Sequence, residues 1–385
     1  MKLHKEISPR VIISGGGTGG HLYPALAIAE ALKKIVPEVK ILFVGANGKI
    51  EMEKVPKAGY KIIGLDIRGF NRSFSWENAK FPYRLIKSYL KSRSILKDFS
   101  PHVAVGVGGY ASGPLLFAAG HLGIPSIIQE QNSYPGKTNL MLSKKASKIC
   151  VAYPNMGQFF EPEKIILTGN PIREGVFGNE LDRDESIKSF GLDPSKPVIL
   201  LLGGSGGART LNESILQGLA DLEKNEIQVI WQTGKSYFEP IKERLNTLYR
   251  NAEKPLLKVL PFLDDMAKAY AASDLVISRA GAGTISELTL VSKPCILVPS
   301  PNVAEDHQTK NAMALVENDA AMMIRDSESR EILIPVALEL LKDKGRLEKL
   351  KKNIRLMAYP NAAERIAGLI LDLALETKKI RKRKK

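Results

Sequence analysis

The sequence predicts an α/β protein made of two doubly wound parallel-sheet domains. Strand-like and helix-like segments alternate along nearly the whole chain, the pattern of parallel sheets covered by helices on both faces. Each half opens with an apolar strand, a glycine-rich turn and a helix, first near residue 10 and again near residue 196. A length of 385 residues also suggests two domains.

The first half shows the alternation clearly. Its predicted strands are 10–14, 40–44, 103–107, 125–129 and 165–168. Its predicted helices are 22–36, 78–97, 112–121 and 138–145. Glycine, proline and charged residues then interrupt the periodicity over 167–186, which is typical of a linker.

The second half restarts the pattern after this linker. Its predicted strands are 196–202, 227–231, 256–260, 274–278, 294–298 and 321–324. A last helix follows Pro360, a residue suited to a helix start. The predicted organisation is an N-terminal domain, a C-terminal domain, a helix that could pack back on the first domain, and a basic tail, at 1–170, 171–358, 359–377 and 378–385.

Composition and charge restrict the function. The chain is 44% apolar and 25% charged, as in a folded domain, and its formal net charge is +15. A basic surface indicates an anionic partner: nucleic acid, anionic lipid or a phosphorylated substrate. The segment 378–385 is either a solvated end or an attachment to an anionic membrane surface.

The sequence also bears on the cellular compartment. Cys150 and Cys295 lie far apart in apolar runs, as buried small residues do, and this fits a reducing compartment. The N-terminal apolar run is too short for a secretory signal, and no apolar stretch approaches the ~18 residues that cross a bilayer. We therefore expect a cytosolic protein.

The first glycine-rich turn, 15–21, reads GGGTGGH. It matches G-x-G-x-x-G, but the strand over 40–44 is not followed by the acid that a dinucleotide site needs for its ribose, which argues against NAD. His21 is either a general base or a residue held by backbone contacts at a helix start. A second glycine turn, 106–114, is either a packing turn or an anion cup that includes Ser112.

Polar residues follow other strands. Glu130 is a second candidate base, and Asn132 could bind a sugar hydroxyl. In parallel sheets, ligands bind at the carboxyl ends of strands, so two sheets facing across a cleft would suit an enzyme with two substrates. A non-catalytic binding protein for a nucleotide or anionic lipid is the alternative class.

The second half has phosphate-binding patterns. The helix that begins near Thr284 offers its positive N-terminus to a diphosphate. Glu287, one turn later, either complements the helix dipole or accepts hydrogen bonds from ribose. Ser205 is placed to bind phosphate or sugar, and Gln308 suits sugar hydroxyls.

No pattern indicates a metal site or a cofactor. The one Asp-x-Asp string, 182–184, lies in the charged linker and is interpreted as a solvated helix start. Glycosyl transfer that depends on a metal often uses such a string. If a sugar is transferred here without a metal, Arg173 and helix N-termini are expected to neutralise the diphosphate that leaves the sugar.

The segment 67–97 mixes aromatic residues with many Lys and Arg. It is either an amphipathic helix that covers the sheet or a basic, aromatic docking patch for a membrane surface. Nucleic acid is a poorer interpretation, because no recognition motif accompanies the basicity.

Seven motifs in this order resemble the MurG family of N-acetylglucosaminyltransferases. They are GGGTGGH, GVGGYASGP, EQN, GNPIR, GGSGGA, SRAGAGTISE and EDHQTKNA, within residues 10–312. The resemblance implies a GT-B fold and inverting, metal-independent transfer of GlcNAc from UDP-GlcNAc to the MurNAc 4-hydroxyl of lipid I, which gives lipid II. It also implies a peripheral location on the cytoplasmic face of the inner membrane.

The resemblance also implies site residues. Nucleotide-sugar contacts are expected at Thr18, Gly19, Gly20, Asn132, Arg173, Ser205, Leu263, Ala282, Gly283, Thr284, Ile285, Ser286, Glu287 and Gln308. The acceptor is expected on the two glycine turns of the first domain, at Gly16, Gly17, Gly109, Tyr110 and Ser112.

The resemblance leaves open which residue is the base and which GT-B activity the chain has. Many relatives have His where this chain has Gln129, so that position is a weak candidate for catalysis and Glu130 stays the second choice after His21. Other GT-B enzymes, such as glycolipid glycosyltransferases and UDP-GlcNAc 2-epimerases, share the donor chemistry.

Overall fold

A computed structural model describes residues 8–69, 81–173, 175–176, 181–204, 206–249 and 256–383. The chain divides into two compact units, and the first combines the N-terminal part with the C-terminal end. The first unit is Met1–Arg173 with Tyr359–Lys385, and the second is Glu174–Ala358. Each unit contains one sheet, and all the strand pairs described in both sheets are parallel.

The sheet of the first unit has seven strands in the order β3-β2-β1-β4-β5-β6-β7. The strands are β1 Arg10–Ser14, β2 Lys40–Ala46, β3 Lys61–Leu65, β4 Val103–Gly106, β5 Ser126–Glu130, β6 Lys148–Val151 and β7 Ile165–Leu167. Apolar residues fill β1, β4 and β5, and these strands are almost completely buried, as expected for a sheet covered on both faces.

Within the residues that the structure describes, five α-helices connect these strands. They are α1 Gly19–Ile35, α2 Glu51–Lys57, α3 Phe81–Phe99, α4 Ser112–His121 and α5 Lys137–Ser143. Because the sheet grows outward from β1 in both directions, chain order reverses between β1 and β4. Ligands bind at such a switch point in doubly wound sheets, next to the carboxyl ends of the two strands.

The second unit repeats this plan with six strands in the order β10-β9-β8-β11-β12-β13. The strands are β8 Val198–Leu202, β9 Gln228–Gln232, β10 Leu257–Leu260, β11 Leu275–Ser278, β12 Cys295–Leu297 and β13 Met322–Met323. The helices are α6 Arg183–Ser189, α7 Arg209–Gln217, α8 Leu219–Lys224, α9 Lys235–Tyr249, α10 Met266–Ala272, α11 Ala282–Val291, α12 His307–Val316, α13 Ser329–Lys342 and α14 Lys344–Leu356. Its switch point lies between β8 and β11.

The last helix, α15 Ala362–Arg383, belongs to the core of the first unit. Its apolar stripe includes Ile366, Ile370 and Ala374, which are buried in one cluster with Leu22 and Ile28 of α1. The helix therefore supplies part of the layer that covers one face of the first sheet. It continues through Arg383, so most of the basic segment 378–385, predicted as a separate tail, is helical.

The structure confirms the alternation that the sequence predicts, within a few residues at each boundary. Three short elements were missed: α2, which contains Pro56, and strands β3 and β6 of five and four residues. Part of the predicted docking segment, 70–80, lies outside the described residues. Among the helices that the structure describes, none has both the length and the apolarity needed to cross a bilayer.

Candidate functional site

The two glycine turns of the first unit meet at its switch point. The first follows β1 and leads into α1, and the second follows β4 and leads into α4. Gly109 has φ +86°, and a Cβ added to it would lie 2.3 Å from the carbonyl oxygen of Gly16. The two turns therefore pack backbone against backbone, at a distance that only glycine allows.

His21 lies in the first turn of α1 and is half-buried. Its ring packs over Gly108, where an added Cβ would approach the ring Cδ2 to 2.4 Å. Its Nδ1 lies 3.4 Å from Thr18 Oγ1. The second glycine turn thus forms the surface on which the imidazole rests, and this fixes the ring relative to both turns.

Glu51, at the start of α2, is a residue that the motif search missed. Its side chain is 1% exposed and accepts hydrogen bonds from the Gly17 N–H at 2.8 Å and the Ala46 N–H at 2.9 Å. The Gly17 N–H is therefore engaged within the protein, and the contact of Gly17 with the acceptor stays a prediction. Glu51 belongs to an ordinary short helix, so only its three-dimensional position reveals its role.

Ser112 and Tyr110 differ in their access to a ligand. Ser112 is fully buried, and its hydroxyl contacts the carbonyl oxygens of Ser14 and Gly108 at 2.9 and 2.8 Å. The hydroxyl fastens the second turn to β1, and the role of Ser112 in holding the acceptor stays a prediction. Tyr110 is 48% exposed, and its ring lies over Gly69.

Glu130, at the end of β5, is 1% exposed. One carboxylate oxygen accepts from the backbone N–H and the side-chain amide of Asn132, at 3.0 and 3.2 Å. The other accepts from the Gly136 N–H at 3.2 Å and from Asn139 Nδ2 at 2.8 Å. Burial raises the pKa of Glu130, while these four hydrogen bonds oppose the shift. The carboxylate organises the loop over 131–136.

A buried amide network continues from this loop. Gln129 Nε2 donates to Asn170 Oδ1 at 2.8 Å, and Asn170 Nδ2 donates to the Gln131 carbonyl at 3.0 Å. Gln131 Nε2 donates to the Val107 carbonyl at 2.7 Å. Gln129 therefore joins the end of β5 to the segment before Arg173, a structural role that an amide performs without ionising.

Arg173 has an aromatic support. Its guanidinium carbon lies 4.3 Å from the centre of the Tyr23 ring, on the first turns of α1. A cation held over an aromatic face is attracted to its π-electrons and loses conformational freedom. Tyr23 thereby holds the Arg173 charge near the N-terminal end of α1, which contains Gly19 and Gly20. The first unit thus brings together three predicted site segments: the two glycine turns and the segment that contains Arg173.

The switch point of the second unit is the second candidate region. Gly281 is the N-cap of α11, and the helix begins at Ala282, so Ala282, Gly283 and Thr284 form its first turn. These residues are partly exposed, and such a turn directs backbone N–H groups and a partial positive charge outward. Ile285 is buried, and the Ser286 hydroxyl donates to the Ala282 carbonyl.

A buried residue orients the side chain of Glu287. Tyr270 is 1% exposed, and its hydroxyl donates to Glu287 Oε2 at 2.8 Å. Burial, and then the Glu287 carboxylate, raise the pKa of Tyr270, so the phenol keeps its proton and remains a donor. Glu287 itself stays partly exposed, in a fixed orientation.

Two further polar residues shape this region. Gln232 Oε1 accepts from the Leu263 N–H at 3.1 Å, and Gln232 Nε2 donates to the Gly204 carbonyl at 3.0 Å. A ligand contact from the Leu263 backbone would therefore use its carbonyl oxygen. Gln308 Oε1 accepts from the Ser300 N–H at 2.8 Å, an arrangement that orients its amide. The predicted phosphate ligand Ser205 lies outside the described residues.

Arg279 was also missed by the sequence analysis. Its Nη1 donates to the carbonyl oxygens of Val298 and Pro299 at 3.1 and 3.2 Å and to the Asp326 carboxylate. Asp326 in turn accepts from the Thr210 hydroxyl at 3.0 Å. The pair anchors the turn between β11 and α11 to three neighbouring segments. Its position directly before the AGAGT segment was the available signal.

Family models match both units. The Glycosyltransferase family 28 N-terminal domain matches residues 11–151, and the Glycosyltransferase family 28 C-terminal domain matches residues 198–366. The chain belongs to glycosyltransferase family 28. Both switch points lie within the matched ranges, so the family 28 match includes both candidate regions.

Curated relatives extend the comparison over nearly the whole chain. A protein of Phocaeicola vulgatus is 54% identical over 96% of this chain and 97% of its own length. One of Cytophaga hutchinsonii is 51% identical over 94% of this chain and 96% of its own. Both are named UDP-N-acetylglucosamine--N-acetylmuramyl-(pentapeptide) pyrophosphoryl-undecaprenol N-acetylglucosamine transferase.

Solved structures agree on the fold. The crystal structure of Acinetobacter baumannii MurG matches with a TM-score of 0.76 and 29% identity, over 94% of this chain and 99% of that one. The family 28 chain therefore has a GT-B fold, as its sequence predicts. The crystal structure of a UDP-N-acetylglucosamine 2-epimerase matches with a TM-score of 0.62 at 14% identity, over 93% of this chain and 94% of that one, which shows the fold alone.

The contact between the glycine turns can be tested by stability. Gly109→Ala adds a Cβ 2.3 Å from the Gly16 carbonyl oxygen at a positive φ, whereas Gly123→Ala adds one at φ +65° with no atom within 4 Å. We expect G109A to lower the free energy of unfolding by roughly 1–3 kcal/mol more than G123A, because only G109A overpacks the turn. Urea denaturation followed by circular dichroism measures both. Equal losses would contradict the close backbone contact.

Proposed function

We propose that this chain transfers GlcNAc from UDP-GlcNAc to the MurNAc 4-hydroxyl of lipid I, with inversion and without a metal ion, to form lipid II. The observation that carries the proposal is the 54% identity over nearly the full length with a transferase of that name. The two switch points add a physical argument, because each presents polar groups suited to one of the two substrates.

The donor is assigned to the second unit. The N-terminus of α11 carries about half a positive charge and would bind the diphosphate. Glu287, aligned by Tyr270, would accept hydrogen bonds from the ribose hydroxyls. Gln308 would contact the sugar, Leu263 the uracil through its carbonyl group, and Ser205 the phosphates.

The acceptor and the base are assigned to the first unit. His21 is our choice for the base, because its ring is half-buried beside the glycine turns, whereas Glu130 is fully enclosed by donors. The exposed face of Tyr110 would stack on the MurNAc ring, next to Gly109. Thr18, Gly19 and Gly20 form the start of α1 and, as the resemblance implies, would contact the nucleotide sugar.

The reaction would be a single displacement. His21 Nε2 takes the proton of the MurNAc 4-hydroxyl while its Nδ1–H faces Thr18 Oγ1, and the hydroxyl oxygen bonds to the anomeric carbon of GlcNAc. The bond from that carbon to the diphosphate oxygen breaks, and UDP leaves with the electron pair. The α11 N-terminus and Arg173 neutralise the charge that develops. Asp182 caps α6 by accepting from the Glu185 N–H, so the Asp-x-Asp string belongs to a helix start.

The proposal is tested by incubating the protein with labelled UDP-GlcNAc and a short-chain lipid I analogue. A disaccharide product with a β linkage by NMR, formed equally well in EDTA, is the expected result. Conversion of UDP-GlcNAc alone to its 2-epimer, or binding without turnover, would instead support the alternatives that the sequence left open.

His21→Ala should lower kcat by roughly 10²–10⁴-fold, the usual contribution of a positioned base, with little change in KM for UDP-GlcNAc. Steady-state kinetics measures both constants. His121→Ala is the matched control, because His121 lies at the end of α4, where its ring contacts Tyr89 and Phe117. A kcat close to wild type for H21A would exclude His21 as the base.

Glu287→Ala should raise KM for UDP-GlcNAc roughly tenfold to a hundredfold, and more than it lowers kcat, because a charged hydrogen bond to the donor is lost. Tyr270→Phe should show a smaller effect of the same kind. Glu331→Ala, at an exposed position in the first turn of α13, is the control. A lower kcat at constant KM would argue against the ribose contact.

We further propose that α3 docks the protein on an anionic membrane surface. Its Tyr83, Leu85, Ile86 and Leu90 are 39–67% exposed, and cationic residues surround them on the same helix. Lipid headgroups accept exposed aromatic and aliphatic side chains, while Lys and Arg attract the anionic phosphates. This arrangement suits an acceptor whose undecaprenyl chain stays in the bilayer.

Neutralising Lys87, Arg93 and Lys97 to Gln should weaken binding to phosphatidylglycerol vesicles by roughly a hundredfold at low salt, at ~1 kcal/mol per cation. Lys91 is left unchanged, because its Nζ donates to the Gly64 carbonyl. Vesicle sedimentation measures the affinity. The same change at Lys344, Lys352 and Arg355 of α14 is the control, and equal losses in both variants would contradict docking through α3.

A further inference from the structure

We propose that Glu51 is a positioning residue for catalysis, which fixes the first glycine turn and through it the His21 imidazole. The inference rests on the proposed role of His21 as the base. Glu51 lies outside the motifs that the sequence analysis selected, and it contacts the first glycine turn from α2.

The hydrogen bonds of Glu51 join two strand ends. Oε2 accepts from Gly17, in the turn after β1, and Oε1 accepts from Ala46, the last residue of β2. Each carboxylate oxygen therefore serves one backbone N–H of a neighbouring segment. A group with two acceptor oxygens and no donor satisfies both N–H groups at once.

The chain leaves space for this carboxylate with two glycines. A Cβ on Gly16 would lie 2.3–2.6 Å from the carboxyl atoms of Glu51, and a Cβ on Gly45 would lie 2.5 Å from its Cγ. Contacts this short require both positions to be glycine or the side chain to move. The carboxylate thus occupies a slot between two backbone segments and is almost completely buried.

A short series of contacts leads from this slot to the imidazole. Glu51 contacts Gly16 and Gly17, Gly16 packs against Gly109, and the neighbouring Gly108 supports the His21 ring. No side chain separates the members of this series, so a shift of the turn at Gly16 changes the surface under His21. Distances of about 1 Å matter at this point, because a base must lie within hydrogen-bonding reach of its proton.

The Glu51→Gln substitution tests the need for two acceptors. It preserves shape but replaces one oxygen by an NH₂ group, which would face a buried backbone N–H and force the turn to move. Glu51→Asp keeps both oxygens on a shorter stem. Glu53→Gln is the matched control, since Glu53 is exposed on the same helix and pairs with Lys57.

The first measurement does not require activity. Two-dimensional ¹H–¹⁵N NMR of the histidine rings reports the surroundings of His21 directly, and the chain has only five histidines to assign. We expect E51Q to shift the His21 ring signals and leave those of His307, in the second unit, unchanged. Unchanged His21 signals, or the same shift in E53Q, would overturn the proposal, whatever the transfer assay shows.

The second measurement is kinetic. E51Q should lower kcat at least tenfold with less than a twofold change in KM for UDP-GlcNAc, and E51D should fall between E51Q and wild type. In a His21→Ala background, E51Q should cause little further loss, because both changes affect the same step. A full additional loss in that background, wild-type kcat in E51Q, or E51D below E51Q would each contradict the proposal.

Two controls separate the sources of failure. If E51Q does not fold, as judged by circular dichroism and by UDP binding, E51D takes its place in both measurements, with a smaller shift and a smaller fall in kcat expected. If the wild-type protein fails to transfer GlcNAc, the proposed function is wrong, but the NMR comparison still decides whether Glu51 positions His21.

Discussion

The close contact between Gly16 and Gly109 is the constraint on which the candidate site of the first unit depends. Two turns that leave neighbouring strands of a parallel sheet normally separate by the width of a side chain. Here their backbones touch, and this brings the start of α1 and the start of α4 to one point. The imidazole of His21 rests on the turn that this contact holds, Tyr110 follows Gly109 in the same turn, and Arg173 lies over Tyr23 of α1.

Buried acidic groups serve mainly as braces in this protein. Glu51 and Glu130 are each 1% exposed and accept hydrogen bonds from N–H groups of nearby loops. Burying a carboxylate is unfavourable unless donors compensate it, and loop N–H groups would themselves be unsatisfied without an acceptor. The carboxylate and the loop N–H groups therefore satisfy each other, and each removes the free-energy cost of burying the other without a hydrogen bond. In the second unit the group that orients a carboxylate is neutral, since Tyr270 donates its hydroxyl hydrogen bond to Glu287.

The sequence predicts the architecture well, because alternation of apolar strands and amphipathic helices is a local property. It misses β3, β6 and α2, whose four to seven residues are too few to show a period. For the site, the ordered motifs locate the loops, but they do not show which groups in a loop bind a ligand and which make internal hydrogen bonds. Ser112 and the Gly17 N–H lie in ligand-type motifs and make internal hydrogen bonds, while Glu51 and Gln232 act from positions without a motif. Such pairings form between residues distant in the chain, so local sequence does not encode them visibly.

The membership of α15 in the first unit has a consequence for biosynthesis. The ribosome makes residues 1–173, then all of the second unit, and only afterwards the helix that completes the first core. Until α15 has been made, the apolar side chains of α1 that pack against it remain uncovered by that helix. The second unit is continuous in the chain and meets no such delay, so the unit whose synthesis starts earlier is the unit that matures later.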